Sequence, residues 1–481
     1  MRKGIVFFGF ILGLGLLFSS CKKENDGKRI AQNKFVEDPS IIQDQYGRQL
    51  ILHGLNTSAS AKSDPLGSPW ITEADVDREA IDFGFNFVRY LIFWDAIEPQ
   101  KGVFDEAYLD RVQERVEWYT KRGMYVMLDM HQDLYSIEFD GDGAPAWAIR
   151  SGNNKPIELG DDMPWWLKNI DPAIIAAWIS FWEYKEHKDL QEHYALMWQK
   201  AINRFKDNPY VIGYDLMNEP WGGDLIKSFI TREFERVQLT AFYNRLIPKI
   251  REVDPDGYIF FEPTPAPVTF GFPSTLMPIR DTRVPSRLVY APHCYPFDTH
   301  EGNGYTQSSK KNLIDWENQR KKEVSPVVHG NIPLLTGEFG LGPWQDGFDT
   351  YLKDFNNMSD RNQWHWAYWS NDRGGWSPIN GDRTPTPILE HLVRAYPRAV
   401  AGKIVSFDYN PDTRIFNLKY NNNNDIDKPT EIAVPKFCYP NGFDAIVSGA
   451  SDYSTSFDEQ FQIFKIKSKL NTEITVNIKP K

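Results

Sequence analysis

The stretch "VIGYDLMNEPWGG", Val211–Gly223, starts as a buried strand and ends abruptly. An apolar run from Val211 to Met217 stops at Asn218-Glu219-Pro220, an amide, a carboxylate and a residue that cannot continue a ladder. Strict alternation would send Asn218 and Glu219 to opposite faces, so a bulge or twist at the tip is expected to turn both inward. Pro220 pushes the preceding Glu219 out of helical geometry and opens a loop.

Seven further runs have the same near-continuous apolar character: "LILHGLN" (Leu50–Asn56), "FNFVRYLIF" (Phe85–Phe93), "YVMLDMHQD" (Tyr125–Asp133), "YIFFEPTP" (Tyr258–Pro265), "LVYAPHCYP" (Leu288–Pro296), "PLLTGEFG" (Pro333–Gly340) and "WHWAYWS" (Trp364–Ser370). Runs of this kind mark parallel strands covered on both faces. Helical patterns separate them. In "TEADVDREAIDFG", Thr72 can cap, acidic residues fill the first turns and Gly84 stops the helix; Asp105–Gly123 repeats the design. Eight strands alternating with helices predict an α/β chain, a (β/α)8 TIM barrel. A doubly wound sheet is the alternative, but no glycine-rich phosphate loop supports it.

The spacing is uneven between Asp133 and Val211, where an insertion carries Trp165, Trp166, Trp178, Phe181 and Trp182. These aromatics either rim the barrel mouth or pack a small core of their own. After about Ala399 the pattern changes to period two with Asn, Asp and Gly turns, which predicts a small antiparallel β-sandwich over 400–481 following a barrel over 37–399.

At the other end, Arg2 and Lys3 precede an apolar run from Ile5 to Phe18 and then Ser19-Ser20-Cys21. A basic head, a short apolar centre and small residues at a cut site describe an export signal over 1–20. The cysteine after the small pair resembles a bacterial lipobox, so lipidation of Cys21 and a polar tether over 21–36 are expected, placing an exported lipoprotein at the outer membrane. Cys294 and Cys438 are expected free and buried, since two cysteines do not make a disulfide framework for a chain of this size. The formal net charge is −11 with no basic tract, which argues against nucleic-acid partners; a monomer is expected.

A barrel's active site lies at the carboxyl ends of its strands. Those ends read Asn56, Arg89, His131 with Asp133, Asn218-Glu219, His293 with Tyr295, Glu338 and Trp369. Two carboxylates on facing strands are what glycoside cleavage needs: one protonates the departing oxygen, the other attacks the anomeric carbon or activates water. Singly the signals are weak, since Glu-Pro occurs at Glu98, Glu219 and Glu262; their joint order is specific. His131 and Asp133 could also suggest a metal pair, but the remaining ligands are not evident in the sequence, and neither a metal nor a cofactor is expected.

Arg89, His131, "NEP" at Asn218–Pro220, "HCY" at His293–Tyr295, "GEFG" at Gly337–Gly340 and Trp369 resemble the retaining enzymes of glycoside hydrolase family 5. The strings "HGLNTSASAKSDP", "FVRYLIFWDAIEP" and "LDMHQDLYS" are similar to the endoglycoceramidase and glycosylceramidase branch, which also carries a trailing β-sandwich. The resemblance implies Glu219 as acid/base, with Asn218 on the 2-hydroxyl of the sugar. It implies Glu338 as nucleophile, held by Tyr295 and kept ionised by Arg89. His131 and His293 would line the reaction centre, Trp369 would be the sugar platform, and Lys62 and Asp133 would bind the first sugar. The implied reaction is hydrolysis of the β-glycosidic bond joining an oligosaccharide or glucose to ceramide. The alternatives are a family 5 β-glucosidase, endo-β-glucanase or mannanase acting on soluble glycans, and a non-catalytic sugar-binding lipoprotein. Retention requires the two carboxyl groups about 5–5.5 Å apart.

Overall fold

The computed structural model describes residues 35–157 and 165–481, without the side chains of Trp165 and Trp166. The export signal, Cys21 and nearly all of the expected tether lie outside the described residues.

Eight parallel strands form the barrel: His53–Asn56, Phe87–Ile92, Tyr125–Met130, Val211–Asp215, Tyr258–Phe261, Leu288–Tyr290, Leu335–Thr336 and His365–Tyr368. Neighbours in sequence pair in parallel, and the first strand also pairs with the eighth. Two isolated parallel bridges, Tyr290 to Leu334 and Cys294 to Phe339, close the circle between the sixth and seventh. Each run read from the sequence is a barrel strand, but the fourth ends at Asp215, earlier than its apolar run. Gly213 within it is required by packing: a β-carbon there would lie 2.1 Å from the Tyr258 carbonyl oxygen on the fifth strand.

Alternation along the strands sorts the core. Phe87, Met127, Phe260, Val289, Leu335 and Ala367 point inward and pack together at the base. Val88, Leu128, Tyr214, Ile259, Tyr290 and Trp366 point outward beneath the helices. Burying each such side chain contributes roughly 1.5–3 kcal/mol before chain entropy is counted. The helix Glu106–Thr120 buries Leu109, Val112, Val116 and Tyr119, one stripe at helical spacing. Asp105 caps it, accepting from the Tyr108 amide at 2.9 Å, and the chain turns off at Gly123 with φ +70°. Thr72 and Asp75 form the expected capping box, after which Glu73–Asp77 continues as a π-turn over Arg78–Asp82.

The insertion builds a core of its own. Trp178, Phe181 and Trp182 are buried against Trp94, Tyr135, Tyr194 and Phe242. Trp182 Nε1 also donates to the Trp221 carbonyl at 2.7 Å, so the helix Pro172–Trp182 braces the loop that follows Glu219.

Two antiparallel sheets make the C-terminal sandwich. One holds Gly402–Asn410, Ile415–Asn422, Glu473–Pro480 and Phe443–Ser448. The other runs Gln49–Leu50, Tyr396–Val400, Thr430–Ala433, Ile463–Ser468 and Tyr453–Asp458. It takes strands from both sides of residue 400, so the chain just before the first barrel strand is paired into the sandwich. Cys294 and Cys438 are free and buried.

Candidate active site

Above the apolar base, the inward register turns polar. Arg89, two residues after Phe87, is fully buried and faces Asp129, Asp215 and Glu262, each two residues beyond an inward residue of its own strand. Its guanidinium meets Asp129 Oδ1 at 2.9 Å, Asp215 Oδ2 at 3.0 Å, Glu262 Oε1 at 2.9 Å and Glu338 Oε1 at 2.8 Å. It also donates to the Asn56 and Asn218 side-chain oxygens, at 3.0 and 2.8 Å. One cation cannot offset four buried carboxylates. Burial raises Asp129 well above the carboxylate range, with Arg89 opposing and Asp215 and Glu262 adding to the shift.

Glu338 and Glu219 stand over this layer. Glu338 is held at both oxygens, Oε1 by Arg89 and Oε2 by the Tyr295 hydroxyl at 3.0 Å. Burial nonetheless raises its carboxyl, with His293 and Arg89 opposing and Glu219 adding to the rise. Glu219 Oε1 contacts His293 Nδ1 at 2.8 Å. One carboxylate oxygen of Glu219 and one of Glu338 lie within 4.8 Å of each other, short of the spacing that leaves room for a water between them. The twist at the tip that turns Asn218 and Glu219 to the same side comes just beyond the strand, where Glu219 takes a left-handed backbone, φ +42°, and Gln132 Nε2 donates to the carbonyls of both residues at 2.9 and 3.0 Å.

The mouth is a cavity of about 260 Å³ lined by Lys62, His131, Asp133, Asn218, Glu219, Tyr295, Glu338 and Trp369. His293 sits just beneath it, between the two catalytic-candidate carboxylates. All the site residues read from the sequence are therefore gathered at one place, apart from Cys21. Trp369 stacks on His131 with ring centres 5.5 Å apart, and the Lys62 ammonium lies 4.4 Å over its ring. Lys62 hydrogen-bonds Asp133, and against the cost of burial Lys62 and His131 hold that carboxyl well below its ordinary range. Burial, reinforced by Lys62, keeps the His131 imidazole neutral.

Several contributors were not found from the sequence. His300, at the end of the short helix Phe297–His300, and Trp376, in a turn, complete the lining, and neither has strand register. Asp142 is brought beside His131 and Asp133 by a bridge from Asp133. This supplies a third possible ligand that the spacing did not reveal; the cation facing the group is Lys62. Glu262, Asp129 and Asp215 were detectable through the inward period-two register.

At such a mouth one carboxyl can protonate a departing oxygen while its neighbour attacks the sugar carbon, with nothing between them. The chain is a glycoside hydrolase, and comparison with known proteins agrees. Residues 43–375 match the family model described as cellulase (glycosyl hydrolase family 5), and residues 394–478 match the glycoside hydrolase family 5 C-terminal domain. The chain belongs to glycosyl hydrolase family 5. Endoglycoceramidase I of Rhodococcus hoagii is 31% identical over 424 residues, covering 86% of this chain and 82% of that protein. Endo-glycoceramidase II from Rhodococcus sp. in its ganglioside GM3 complex superposes with a TM-score of 0.85 at 37% identity. Its lactosyl-enzyme intermediate gives 0.83 at 37%, and both alignments cover 92% of this chain and 100% of the other. The resemblance to the endoglycoceramidase branch is borne out.

Proposed function

We propose that this chain cleaves the β-glycosidic bond between the glycan and the ceramide of glycosphingolipids by a two-step retaining mechanism. The observation that carries the reading is the closeness of Glu219 and Glu338, within 4.8 Å, with Glu338 clamped at both oxygens. In the first step Glu338 attacks the anomeric carbon while Glu219 protonates the ceramide oxygen, and a glycosyl-Glu338 ester forms. In the second, Glu219 takes a proton from water, which attacks the same carbon and releases Glu338. Asn218 meets the sugar 2-hydroxyl, Trp369 carries the sugar face, and Lys62 and Asp133 exchange part of their mutual pairing for sugar hydroxyls.

The ceramide part of the reading is supported by the relatives named above and by the surface around half of the mouth. Ile226, Phe229 and Ile230, after the fourth strand, Phe272, after the fifth, and Phe297, after the sixth, are exposed apolar side chains. Isolated exposed apolar residues are ordinary, but several on adjoining loops suit an acyl-bearing substrate. The Lys62–Asp133 side is polar and suits the glycan.

Attachment by lipid at Cys21 belongs to the same proposal, with the protein exported, acting as a monomer and using no cofactor. The chain joins the barrel at the pole opposite the mouth. Glu37 pairs with Arg283 and Arg287 at 2.7 and 2.9 Å, and the Gln43 amide donates to Tyr258 Oη at 2.8 Å, where the fifth and sixth strands begin.

Incubation with GM3 ganglioside, glucosylceramide and a soluble β-glucan tests the reading. Release of intact glycan together with free ceramide is expected. Turnover of the glucan alone would overturn the glycosphingolipid assignment.

A further inference from the structure

Glu262 is the first residue past the fifth strand, 2% exposed and pointing inward beneath the reaction centre. Its Oε2 accepts the backbone N–H of Glu219 at 2.9 Å. Its Oε1 accepts from Arg89 Nη2 at 2.9 Å and lies 3.3 Å from His293 Nε2. The other face of the same imidazole, Nδ1, is 2.8 Å from Glu219 Oε1 and 3.6 Å from Glu338 Oε2. Glu262 thus touches Glu219 twice, directly through its amide and indirectly through the ring that contacts its carboxyl.

We propose that Glu262 is a positioning residue for the acid/base, fixing the left-handed backbone of Glu219 and holding the His293 imidazole charged. The geometry stands by itself; its catalytic consequence rests on the retaining-hydrolase reading.

The Glu262 carboxyl already accepts on both oxygens, from the Glu219 amide and from Arg89, so in the proposal the proton of the pair lies on His293. Around them stand Arg89 from the second strand, Asp129 from the third, Asp215 from the fourth and Glu338 from the seventh, with Tyr295 on the loop of His293 itself. Burial opposes a charged imidazole, yet Glu262, Glu338 and the bond to Glu219 raise His293 well above its ordinary value. Burial raises Glu262 as well, with His293 and Arg89 opposing and Asp215 adding, while the Glu219 amide and the Arg89 guanidinium both donate to it and keep it an acceptor. With Nδ1–H donated to Glu219 Oε1, the second oxygen of Glu219 is left to carry the transferable proton. When that proton moves to the departing oxygen as the C–O bond breaks, His293 keeps its own. The imidazolium then faces the carboxylate just formed.

The sign of the pH effect follows. Removing the negative charge of Glu262 lowers the proton affinity of His293, so the charged imidazole that faces Glu219 is lost at lower pH. Glu262→Gln is nearly isosteric and keeps an oxygen for the Glu219 amide, whereas Glu262→Asp keeps the charge. Their pH profiles of kcat/KM are compared on lactosylceramide, whose leaving group needs a proton, and on 2,4-dinitrophenyl β-lactoside, whose leaving group does not. For Glu262→Gln, turnover of lactosylceramide is expected to fall about tenfold or more, with dinitrophenol release changing by less than about threefold. Its alkaline limb is expected to move down by about one pH unit, while Glu262→Asp keeps the limb in place. Equal losses on both substrates, or an unmoved limb, would overturn the proposal and leave Glu262 a packing residue. A second measurement does not depend on the variants folding. The 15N shifts of His293 in the parent protein are expected to report an imidazolium near neutral pH, and a neutral ring would overturn the proposal. A charged His293 in a protein that cleaves neither lactoside would uphold it and sink the functional reading instead.

Discussion

Arg89 orders the site. Six side chains from the first, third, fourth, fifth and seventh strand ends, two of them from the fourth, converge on one guanidinium, and four of the partners are carboxylates. Removing one partner of such a buried network leaves uncompensated charge, at a cost of about 3–5 kcal/mol. Arg89→Met is therefore expected to lower the urea midpoint by that order and to abolish turnover. Arg89→Lys is expected to recover folding but little activity, because an ammonium cannot reproduce the planar fork that reaches Glu338, Asn218 and Asp215 together. Wild-type turnover in Arg89→Lys would contradict the clamp on Glu338. The three Glu-Pro dipeptides show why residue-scale reading of the sequence stops where it does. Glu98 is a brace, accepting the Gly102 amide at 2.7 Å and Trp94 Nε1 at 3.0 Å. Glu219 is the acid/base candidate, and Glu262 lies beneath it. Local sequence does not separate them; strand register does, because only Glu219 and Glu262 end barrel strands. Asp129 and Asp215 stand out only through the same register, being single acids inside apolar runs whose charge the guanidinium opposite explains.

Among elements, the loop carrying Trp369 is held from outside the barrel. Glu79, in the π-turn Arg78–Asp82, accepts from Asn371 Nδ2 at 2.6 Å, and the Asn371 amide donates to the Asn56 carbonyl at 3.1 Å. Glu79 is 1% exposed, and burial, with Asp75 adding, pushes its carboxyl up to about 8. A carboxyl raised in the folded state binds its proton more tightly there than in the unfolded chain. The stability it contributes is complete below the unfolded value of about 4.3 and is lost as pH rises towards 8. Glu79→Gln mimics the protonated form. The variant and the parent are expected to melt at similar temperatures at low pH, with the variant's advantage opening as the pH rises from about 4.3 and complete by about 8; parallel melting curves at all pH values would contradict a proton on Glu79. The barrel elements themselves were legible because their apolar runs end in chemistry-bearing residues. The role of the insertion was not legible, because a tryptophan-rich segment is equally consistent with a rim and with a core. The contact of Phe181 with Tyr194 on the next helix, and of Trp182 with Phe242 beyond the fourth strand, decide for the core.

At the scale of the molecule, the barrel and the sandwich share a sheet. Gln49 and Leu50 pair with Val400 and Ala399, and the first barrel strand begins three residues later at His53. The period-two pattern after residue 400 announced the sandwich but could not show that it borrows a strand from the start of the barrel, since that pairing joins segments some 350 residues apart. A chain ending at residue 393 would strip Gln49–Leu50 of its Val400 and Ala399 partners and leave only the bridge to Gln43, exposing the surface that Ala395, Tyr396 and Val400 cover. It is expected to aggregate or to lose most of its thermal stability, rather than to yield an active barrel; a soluble, fully active truncation would show that the sandwich is an appendage. The central claim, that Glu338 and Glu219 work as a retaining pair, is tested most directly by mass spectrometry of peptides from protein inactivated with an activated 2-deoxy-2-fluoro β-lactoside. A single fluorolactosyl adduct on the peptide containing Glu338 is expected, absent in Glu338→Gly. An adduct on any other residue, or hydrolysis of the lactoside with inversion and no adduct, would contradict it.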